Sequence, residues 1–194
     1  MKKLLNRRPI VVALAGPNGA GKTTFHGIYL RPSGLRFVNA DVVARDLDLD
    51  PYKAAKLADR LRRQLVEQRE SFIFETVFSD PVGDKLTFLK QVERAGYTVA
   101  LFFIGIDGPD VSDQRVTMRV LKGGHDVPAE KIRERYPRVM SNLKQALAEL
   151  SNVRVYDNGD LKRPYRLVAE KQDGQGIELF GATPDWLRAL LPVS

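Results

Sequence analysis

The chain has 194 residues, of which 43% are hydrophobic and 28% are charged, and it contains no cysteine. This composition favours one globular domain with a sizeable core, and it excludes disordered, fibrous and disulfide-stabilised classes. The lack of cysteine also excludes thiol catalysis and cysteine-based zinc sites. The formal net charge of +7 predicts a polyanionic partner, which could be nucleic acid, anionic lipid or a phosphorylated small molecule.

The apolar runs are too short to cross a membrane. The first, at residues 10–15, leads directly into a glycine-rich loop and lacks the cleavage pattern of a secretory signal. The run at residues 99–106 falls far short of the roughly 20 residues that a bilayer requires. We therefore expect a cytoplasmic protein without membrane contact.

Short runs rich in Val, Ile and Phe alternate with longer charged segments of helical period, which predicts an α/β fold with a mostly parallel sheet. The predicted strands cover residues 9–15, 36–39, 71–75, 97–106 and 153–156. The predicted helices cover residues 22–30, 51–69, 81–95, 110–122 and 128–150. The last of these carries an apolar stripe with spacings of three and four: Ile132, Tyr136, Val139, Leu143, Leu147 and Leu150. After it we expect a hairpin over 165–170 and 176–180 and a short helix over 184–191, attached to one core.

Residues 16–23 read GPNGAGKT, a full match to the phosphate-loop pattern G-x-x-x-x-G-K-[ST], between a predicted strand and a predicted helix. Its glycines let backbone N–H groups converge on a diphosphate at the positive end of a helix. We expect Lys22 to reach the β- and γ-phosphates and the Thr23 hydroxyl to bind Mg²⁺. The expected nucleotide-binding residues are Gly16, Pro17, Asn18, Gly19, Ala20, Gly21, Lys22, Thr23 and Thr24. The loop alone does not separate kinases from other nucleotide-dependent proteins.

Three carboxylates follow predicted strands, at the sheet edge where α/β proteins bind ligands: Asp41, Glu75 and Asp107. Asp41 is a candidate base that would orient an attacking hydroxyl and take its proton, and also a candidate metal ligand. Glu75, followed by Thr76, suits either a hydroxyl-rich substrate or a Mg²⁺-bound water, and the sequence does not separate the two. Asp107 fits a helix N-cap equally well.

A basic segment at about residues 119–135 predicts a lid. Arg115 and Arg119 lie four residues apart on one helix face, and a glycine pair follows before a proline-started helix. Closure would bring arginines, above all Arg119 and Arg135, over a bound triphosphate. A solvated basic face balanced by nearby acids is the alternative interpretation. His125 in this segment would touch phosphate or stabilise a turn.

The second predicted helix carries a basic cluster, which we interpret as a solvated face because no aromatic side chains interleave it for base stacking. The cluster consists of Lys53, Lys56, Arg60, Arg62, Arg63 and Arg69. Two histidines, His26 and His125, do not make a metal site. Nucleic acid is therefore not needed to explain the charge.

The motifs AGPNGAGKTT, FVNAD, FIFETVFS, GYTVALFFIGID and RVTMRVLKGGHDVPAEKIRERYPRVMSNL, in this order, resemble the zeta-toxin family of phosphate-loop kinases over about residues 9–158. The resemblance implies ATP with Mg²⁺ and phosphate transfer to a sugar hydroxyl of UDP-N-acetylglucosamine. It implies that Lys22 and Thr23 bind ATP and Mg²⁺, that Asp41 is the catalytic base and that Glu75 contacts substrate. Lid arginines such as Arg119 would bind phosphate. A toxin role would require a protein antitoxin as partner.

Together these features predict an ATP-dependent small-molecule kinase in a single three-layer α/β domain over 1–194. The domain would have a core at 9–158, a lid at about 119–135 and a C-terminal hairpin and helix at 164–191. The expected catalytic residues are Asp41, Lys22 and Arg119, and the expected substrate-binding residues are Glu75, Thr76, Arg115 and Arg135. Two alternatives remain open, a polynucleotide 5′-hydroxyl kinase and a nucleotide-dependent binding module with little catalysis.

Overall fold

The strands of the computed structural model, which describes residues 1–121, 123 and 126–191, form a seven-stranded sheet. They are β1 (Ile10–Ala15), β2 (Arg36–Val38), β3 (Phe72–Thr76), β4 (Thr98–Gly105), β5 (Val153–Asp157), β6 (Arg166–Lys171) and β7 (Glu178–Leu179). Their order across the sheet is β2-β3-β1-β4-β5-β6-β7, with β1 to β5 parallel and β6 and β7 antiparallel. Each of the five main strands predicted from the sequence is present, with its ends shifted by one residue at most.

Helices cover both faces of the sheet. They are α1 (Lys2–Leu5), α2 (Lys22–Phe25), α3 (Ala40–Asp46), α4 (Pro51–Glu67), α5 (Asp84–Arg94), α6 (Gly108–Val120), α7 (Ala129–Glu149) and α8 (Asp185–Arg188). Alternation along β1 divides the core, because Val11 and Ala13 pack with the apolar sides of α4, α5 and α7, while Val12 and Leu14 pack with Phe25 and α1. The three-layer α/β prediction is confirmed. None of the described helices is long and apolar enough to span a bilayer.

Three of the differences between these helices and the predictions bear on the site. The helix predicted from residue 81 begins at Asp84, because Gly83 adopts a left-handed φ of 71° and precedes it as the N-cap. The helix predicted over 22–30 changes after Phe25 to a π-helical turn, His26–Leu30. Helix α3 is absent from the prediction, and Asn39 caps it by accepting hydrogen bonds from the first backbone N–H groups of the helix.

The predicted C-terminal hairpin is present, and it extends the sheet instead of standing apart from it. Strand β6 pairs antiparallel with β5, and Val168 and Ala169 are fully buried. In the following helix, α8, Trp186 packs so closely on Gly105 that a Cβ there would lie 2.2 Å from the indole. Trp186 also donates a hydrogen bond to Asp157 Oδ1 at 3.2 Å. This segment thereby reaches the end of β5, beside the phosphate loop.

Candidate active site

The phosphate loop turns between β1 and α2 in a shape that requires glycine, as Gly16 and Gly21 illustrate. Gly16 has a φ of 142°, and a Cβ there would lie 2.2 Å from the carbonyl oxygen of Ile104. Gly21 has a φ of 88°, and a Cβ there would lie 2.7 Å from Tyr165 Oη and 2.9 Å from Asn158 Nδ2. Both requirements come from neighbours in distant parts of the chain.

Those neighbours hold the loop from behind. Asn158 Nδ2 donates to the carbonyl oxygen of Ala20 at 2.8 Å, and Tyr165 Oη donates to that of Gly21 at 3.0 Å. Ser112 of α6 donates to the carbonyl oxygen of Asn18. Side chains from three segments therefore hold the shape of the loop through its carbonyl groups.

Lys22 is held inside the phosphate loop. Its side chain is buried, and Nζ donates to the carbonyl oxygens of Gly16 at 2.9 Å and Pro17 at 3.0 Å. Burial lowers the pKa of Lys22, and the charges of Glu75 and Asp41 oppose that shift. The ammonium group therefore sits at the loop with two candidate site carboxylates in its electrostatic field.

A chain of hydrogen bonds connects the loop to β3 and α3. The Thr23 hydroxyl lies 3.0 and 3.2 Å from the two carboxylate oxygens of Glu75, to which it donates. Asn39 Nδ2 donates to Glu75 Oε2 at 3.0 Å, while Asn39 Oδ1 accepts from the backbone N–H of Asp41 at 2.8 Å. Asn39 thus holds the Glu75 carboxylate and the backbone of Asp41, and sequence reasoning missed it. Its signal was an Asn directly before Asp41 at a helix start.

One cleft of about 400 Å³ brings many of the predicted site residues together. Those that line it are Asn18, Gly19, Lys22, Asp41, Glu75, Thr76, Arg119 and Arg135. They come from the loop, from the carboxyl end of β3, and from α3, α6 and α7. Asp126 and Pro128, which precede α7, also line the cleft, and His125 lies outside the described residues.

Arg115 does not enter this cleft. Its Nη2 donates to the carbonyl oxygens of Asn158 at 2.8 Å and Gly159 at 3.3 Å, behind the phosphate loop. Arg115 supports the segment that follows β5, and its assignment to substrate binding stays a prediction. Thr24 is also not among the residues that line the cleft, and its side chain hydrogen-bonds to the Tyr165 hydroxyl.

The position of Arg62 contradicts the interpretation of the whole basic cluster at residues 53–69 as a solvated face. Its side chain is only 6% exposed and lines the cleft, with the guanidinium carbon 4.9 Å from the centre of the Phe74 ring. The other five members of the cluster are exposed, as expected. A signal was present, because Arg62 continues the buried stripe of Ala54, Ala58 and Leu65 along the helix.

The donor set fits Mg²⁺ in the company of phosphate. Thr23 and Glu75 offer hard oxygen ligands within 3.2 Å of one another, at the end of the phosphate loop. Among residues 1–121, 123 and 126–191, no three His, Asp or Glu side chains form a metal-binding group by themselves. A magnesium ion here would thus depend on nucleotide oxygens for much of its coordination.

Comparisons with known proteins agree with the sequence motifs. The family described as Zeta toxin matches residues 50–167, more than half of the chain. The matched range begins in the N-cap region of α4, so the phosphate loop and Asp41 precede it. An uncharacterised protein of Haemophilus influenzae is 24% identical over 140 residues, which cover 70% of this chain and 98% of that protein. The predicted resemblance to zeta toxins is confirmed, and with it the enzyme class, a phosphotransferase.

Two solved structures share the fold. A chain of the AvrRxo1-ORF1:ORF2 complex crystallised with ATP superposes with a TM-score of 0.71 at 19% identity, covering 91% of this chain. This chain spans 63% of the length of that one. A chain of the PezAT toxin–antitoxin system of Streptococcus pneumoniae gives a TM-score of 0.62 at 19% identity, with 84% and 72% of the two chains covered.

Proposed function

The chain belongs to the zeta toxin family, and from this premise we propose that it is an ATP-dependent kinase for a small anionic metabolite. Its acceptor would be a hydroxyl of a nucleotide sugar such as UDP-N-acetylglucosamine. The proposal rests on one observation: a single cleft joins the phosphate-loop lysine Lys22 to the carboxylates Asp41 and Glu75 and to the cations Arg119 and Arg135.

The donor half of the reaction belongs to the phosphate loop. Its backbone N–H groups and Lys22 bind the β- and γ-phosphates of ATP, for which Lys22 Nζ exchanges the carbonyl oxygens of Gly16 and Pro17 for phosphate oxygens. Arg119 and Arg135, on the helices that border the lid segment, face the transferring phosphoryl group. Their charges stabilise the negative oxygens of a loose transition state.

Asp41 belongs to the acceptor half. The acceptor hydroxyl oxygen attacks the γ-phosphorus, the bond from that phosphorus to the β,γ-bridging oxygen breaks, and ADP leaves. The hydroxyl proton passes to the carboxylate of Asp41, an exposed residue that lines the cleft and whose backbone N–H donates to the Asn39 cap. The product is a phosphate monoester of the acceptor. In such a transition state the carboxylate contributes by orienting the hydroxyl as well as by taking the proton.

Thr23 and Glu75 would hold Mg²⁺. The Thr23 hydroxyl would bind the ion directly, and Glu75, 3.0 Å from it, would bind the ion or one of its waters. The ion neutralises charge on the β- and γ-phosphates when bound. Asn39 keeps Glu75 in place through its hydrogen bond to Oε2.

Labelled phosphate tests the proposal directly. The protein is incubated with Mg²⁺ and γ-labelled ATP in the presence of UDP-N-acetylglucosamine, N-acetylglucosamine, nucleosides or 5′-hydroxyl oligonucleotides. We expect label in the nucleotide sugar, and none with Lys22→Ala protein purified in the same way. Label on the oligonucleotide would favour a polynucleotide kinase instead. Label only as free phosphate in every tube would contradict the kinase proposal.

We also propose that a protein antitoxin controls this activity. The family membership supports it, and so does the fold shared with a chain of the PezAT toxin–antitoxin system. Induced expression of the wild-type chain should arrest bacterial growth, and expression of Asp41→Asn should not. Equal growth of both cultures, with equal protein levels, would contradict a toxin role.

A further inference from the structure

A second cavity, of about 420 Å³, adjoins the cleft on the side away from the phosphate loop. Its lining carries four cationic side chains, Lys85, Lys131, Arg135 and Arg138, and two acidic ones, Asp80 and Glu134. Lys85, Lys131 and Arg135 line the cleft as well, together with Thr76 and Val77, so the two cavities meet along these side chains.

Asp59 holds together two cationic side chains that line the cleft, Arg62 and Lys85. Arg62 Nη2 lies 2.6 Å and Lys85 Nζ 3.7 Å from the same oxygen, Asp59 Oδ1. Arg63 Nε lies 3.1 Å from the other oxygen, on the solvent side of α4. The Arg62 and Lys85 side chains, from two different helices, therefore converge at one point on the border of the cleft.

The charge at this point is incompletely balanced. Asp59 supplies one negative charge to the three cations Arg62, Arg63 and Lys85. Arg62 is nearly fully buried, and its Nε has no hydrogen-bond partner among residues 1–121, 123 and 126–191. Burying a cation is costly unless it is paired and its donors are satisfied. A bound anion would supply the missing charge.

The positions of Arg62 and Lys85 indicate which ligand would bring the anion. Lys22, Asp41 and Arg62 line the cleft only, whereas Lys85 lines both the cleft and the second cavity. An anionic group bound by both Arg62 and Lys85 would therefore lie where the cleft meets the second cavity, because Lys85 lines both. ATP phosphates bound at the loop belong to the other side, and the acceptor occupies this one.

We propose that Arg62 and Lys85, held together by Asp59, form an anion subsite that binds a phosphate group of the acceptor remote from its reacting hydroxyl. The assignment of this anion to the acceptor rests on the proposed kinase function. The subsite selects phosphorylated acceptors over neutral ones, because each hydrogen bond between a side-chain cation and a phosphate oxygen adds affinity that a neutral sugar lacks.

Binding of inorganic pyrophosphate, measured by calorimetry, tests the subsite independently of turnover. The donor site is first filled with a non-hydrolysable ATP analogue and Mg²⁺, so that pyrophosphate cannot bind at the phosphate loop. Lys85→Ala should weaken pyrophosphate binding about tenfold, since a hydrogen bond to a charged group is lost. Lys85 is 26% exposed in its side chain, and its backbone N–H keeps the hydrogen bond to Asp80 in the variant.

Arg63→Ala is the matched control. Arg63 also pairs with Asp59, but it is exposed and lines neither cavity. We expect it to bind pyrophosphate within about twofold of the wild type, since only long-range screened charge is lost. Equal weakening in both variants, no weakening in Lys85→Ala, or no pyrophosphate binding to the wild type would overturn the subsite.

Steady-state kinetics then separate this proposal from the kinase proposal. Lys85→Ala should raise KM for UDP-N-acetylglucosamine about tenfold and leave KM for ATP and for neutral N-acetylglucosamine unchanged. If the wild type transfers label to no acceptor but pyrophosphate binds in a Lys85-dependent way, the kinase function fails and the anion site stands. If transfer occurs and Lys85→Ala leaves every KM unchanged, the subsite fails and the kinase function stands.

Discussion

The phosphate loop and the acceptor side of the cleft are built in different ways. The loop is one contiguous segment whose carbonyl groups are held from behind by Ser112, Asn158 and Tyr165. The acceptor side is assembled from separate elements, with Asp41 on α3, Arg62 on α4, Glu75 on β3 and Lys85 on α5. The shape of the loop thus depends on hydrogen bonds to its own carbonyl groups, whereas the acceptor side depends on the packing of four elements around one cavity.

This difference decides where a substitution acts. A change behind the loop should alter ATP affinity, because it alters the shape that receives the phosphates. A change on the acceptor side should alter turnover or acceptor affinity and leave ATP binding in place. The following predictions test that separation, from the largest expected effect to the smallest.

Gly21→Ala should disrupt the donor half most strongly. Gly21 has a left-handed φ of 88°, and the added Cβ would meet Tyr165 Oη at 2.7 Å and Asn158 Nδ2 at 2.9 Å. Strain of about 1–2 kcal/mol for a left-handed residue, added to this crowding, should weaken ATP binding by about 100-fold in calorimetry.

Gly34→Ala serves as the control for Gly21→Ala. Gly34 also has a left-handed φ, of 69°, but a Cβ there would have open space around it. It should lower the melting temperature through the same backbone strain and leave ATP affinity unchanged. Equal ATP affinity in the two variants would show that the contacts behind the loop do not set its shape.

Asn39→Asp should damage the acceptor half and spare the donor half. The carboxylate keeps the cap on α3 but loses the donor that binds Glu75 Oε2, and it adds a like charge beside Glu75. We expect kcat to fall about tenfold, with the affinity for ATP measured in the absence of Mg²⁺ near that of the wild type. The converse exchange Asp50→Asn, at the exposed cap of α4, should change neither quantity. A loss of ATP affinity as large as the loss of kcat in Asn39→Asp would contradict the separation.

Tyr165→Phe should have a smaller effect, confined to the loop. The substitution removes the hydrogen bond to the Gly21 carbonyl and keeps the ring contacts with Phe25 and Tyr29. A loss of about 1 kcal/mol corresponds to about fivefold weaker ATP binding. Tyr52→Phe, at an exposed tyrosine, is the control. An effect on KM for the acceptor without an effect on ATP affinity would contradict the assignment of Tyr165 to the phosphate loop.

His26 should give the smallest effect, on stability alone. Its imidazole stacks on Phe37, with the two ring centres 3.7 Å apart. Burial, and to a smaller extent the charge of Arg31, lowers the pKa of His26. Since the folded pKa lies below the unfolded value of 6.5, the unfolded state binds more protons in that window. Stability is therefore full above 6.5 and declines as the pH falls toward the folded pKa. Urea unfolding between about pH 7.5 and about pH 5.5, roughly one unit on either side of 6.5, should show a shallower decline of stability in His26→Phe.

The sequence predicted the position of the phosphate loop better than the positions of the side chains around it, for a physical reason. A phosphate loop is a contiguous pattern, and the strand ends before Asp41 and Glu75 place both carboxylates at one sheet edge. Tyr165 supports Gly21 from 144 residues away, so no local pattern reports that contact. Arg62 was misplaced because a charged side chain in an amphipathic helix is usually solvated, and only its position in the buried stripe indicated otherwise.

The C-terminal segment illustrates the same limit. The turn residues predict its hairpin. They do not predict that β6 pairs with β5, because a strand pattern does not specify which neighbouring strand it pairs with. Consequently the role of Tyr165 and Asn158 behind the loop became visible only in the structure.

The most direct test of the kinase account compares Asp41→Asn with Lys22→Ala, measuring ATP binding by calorimetry and label transfer to acceptor in the same preparations. Asp41→Asn should bind ATP like the wild type and lose transfer by about 1000-fold, since the base and the orientation of the hydroxyl are both impaired. Lys22→Ala should lose ATP affinity itself. Equal loss of ATP binding in the two variants, or undiminished transfer by Asp41→Asn, would contradict the account.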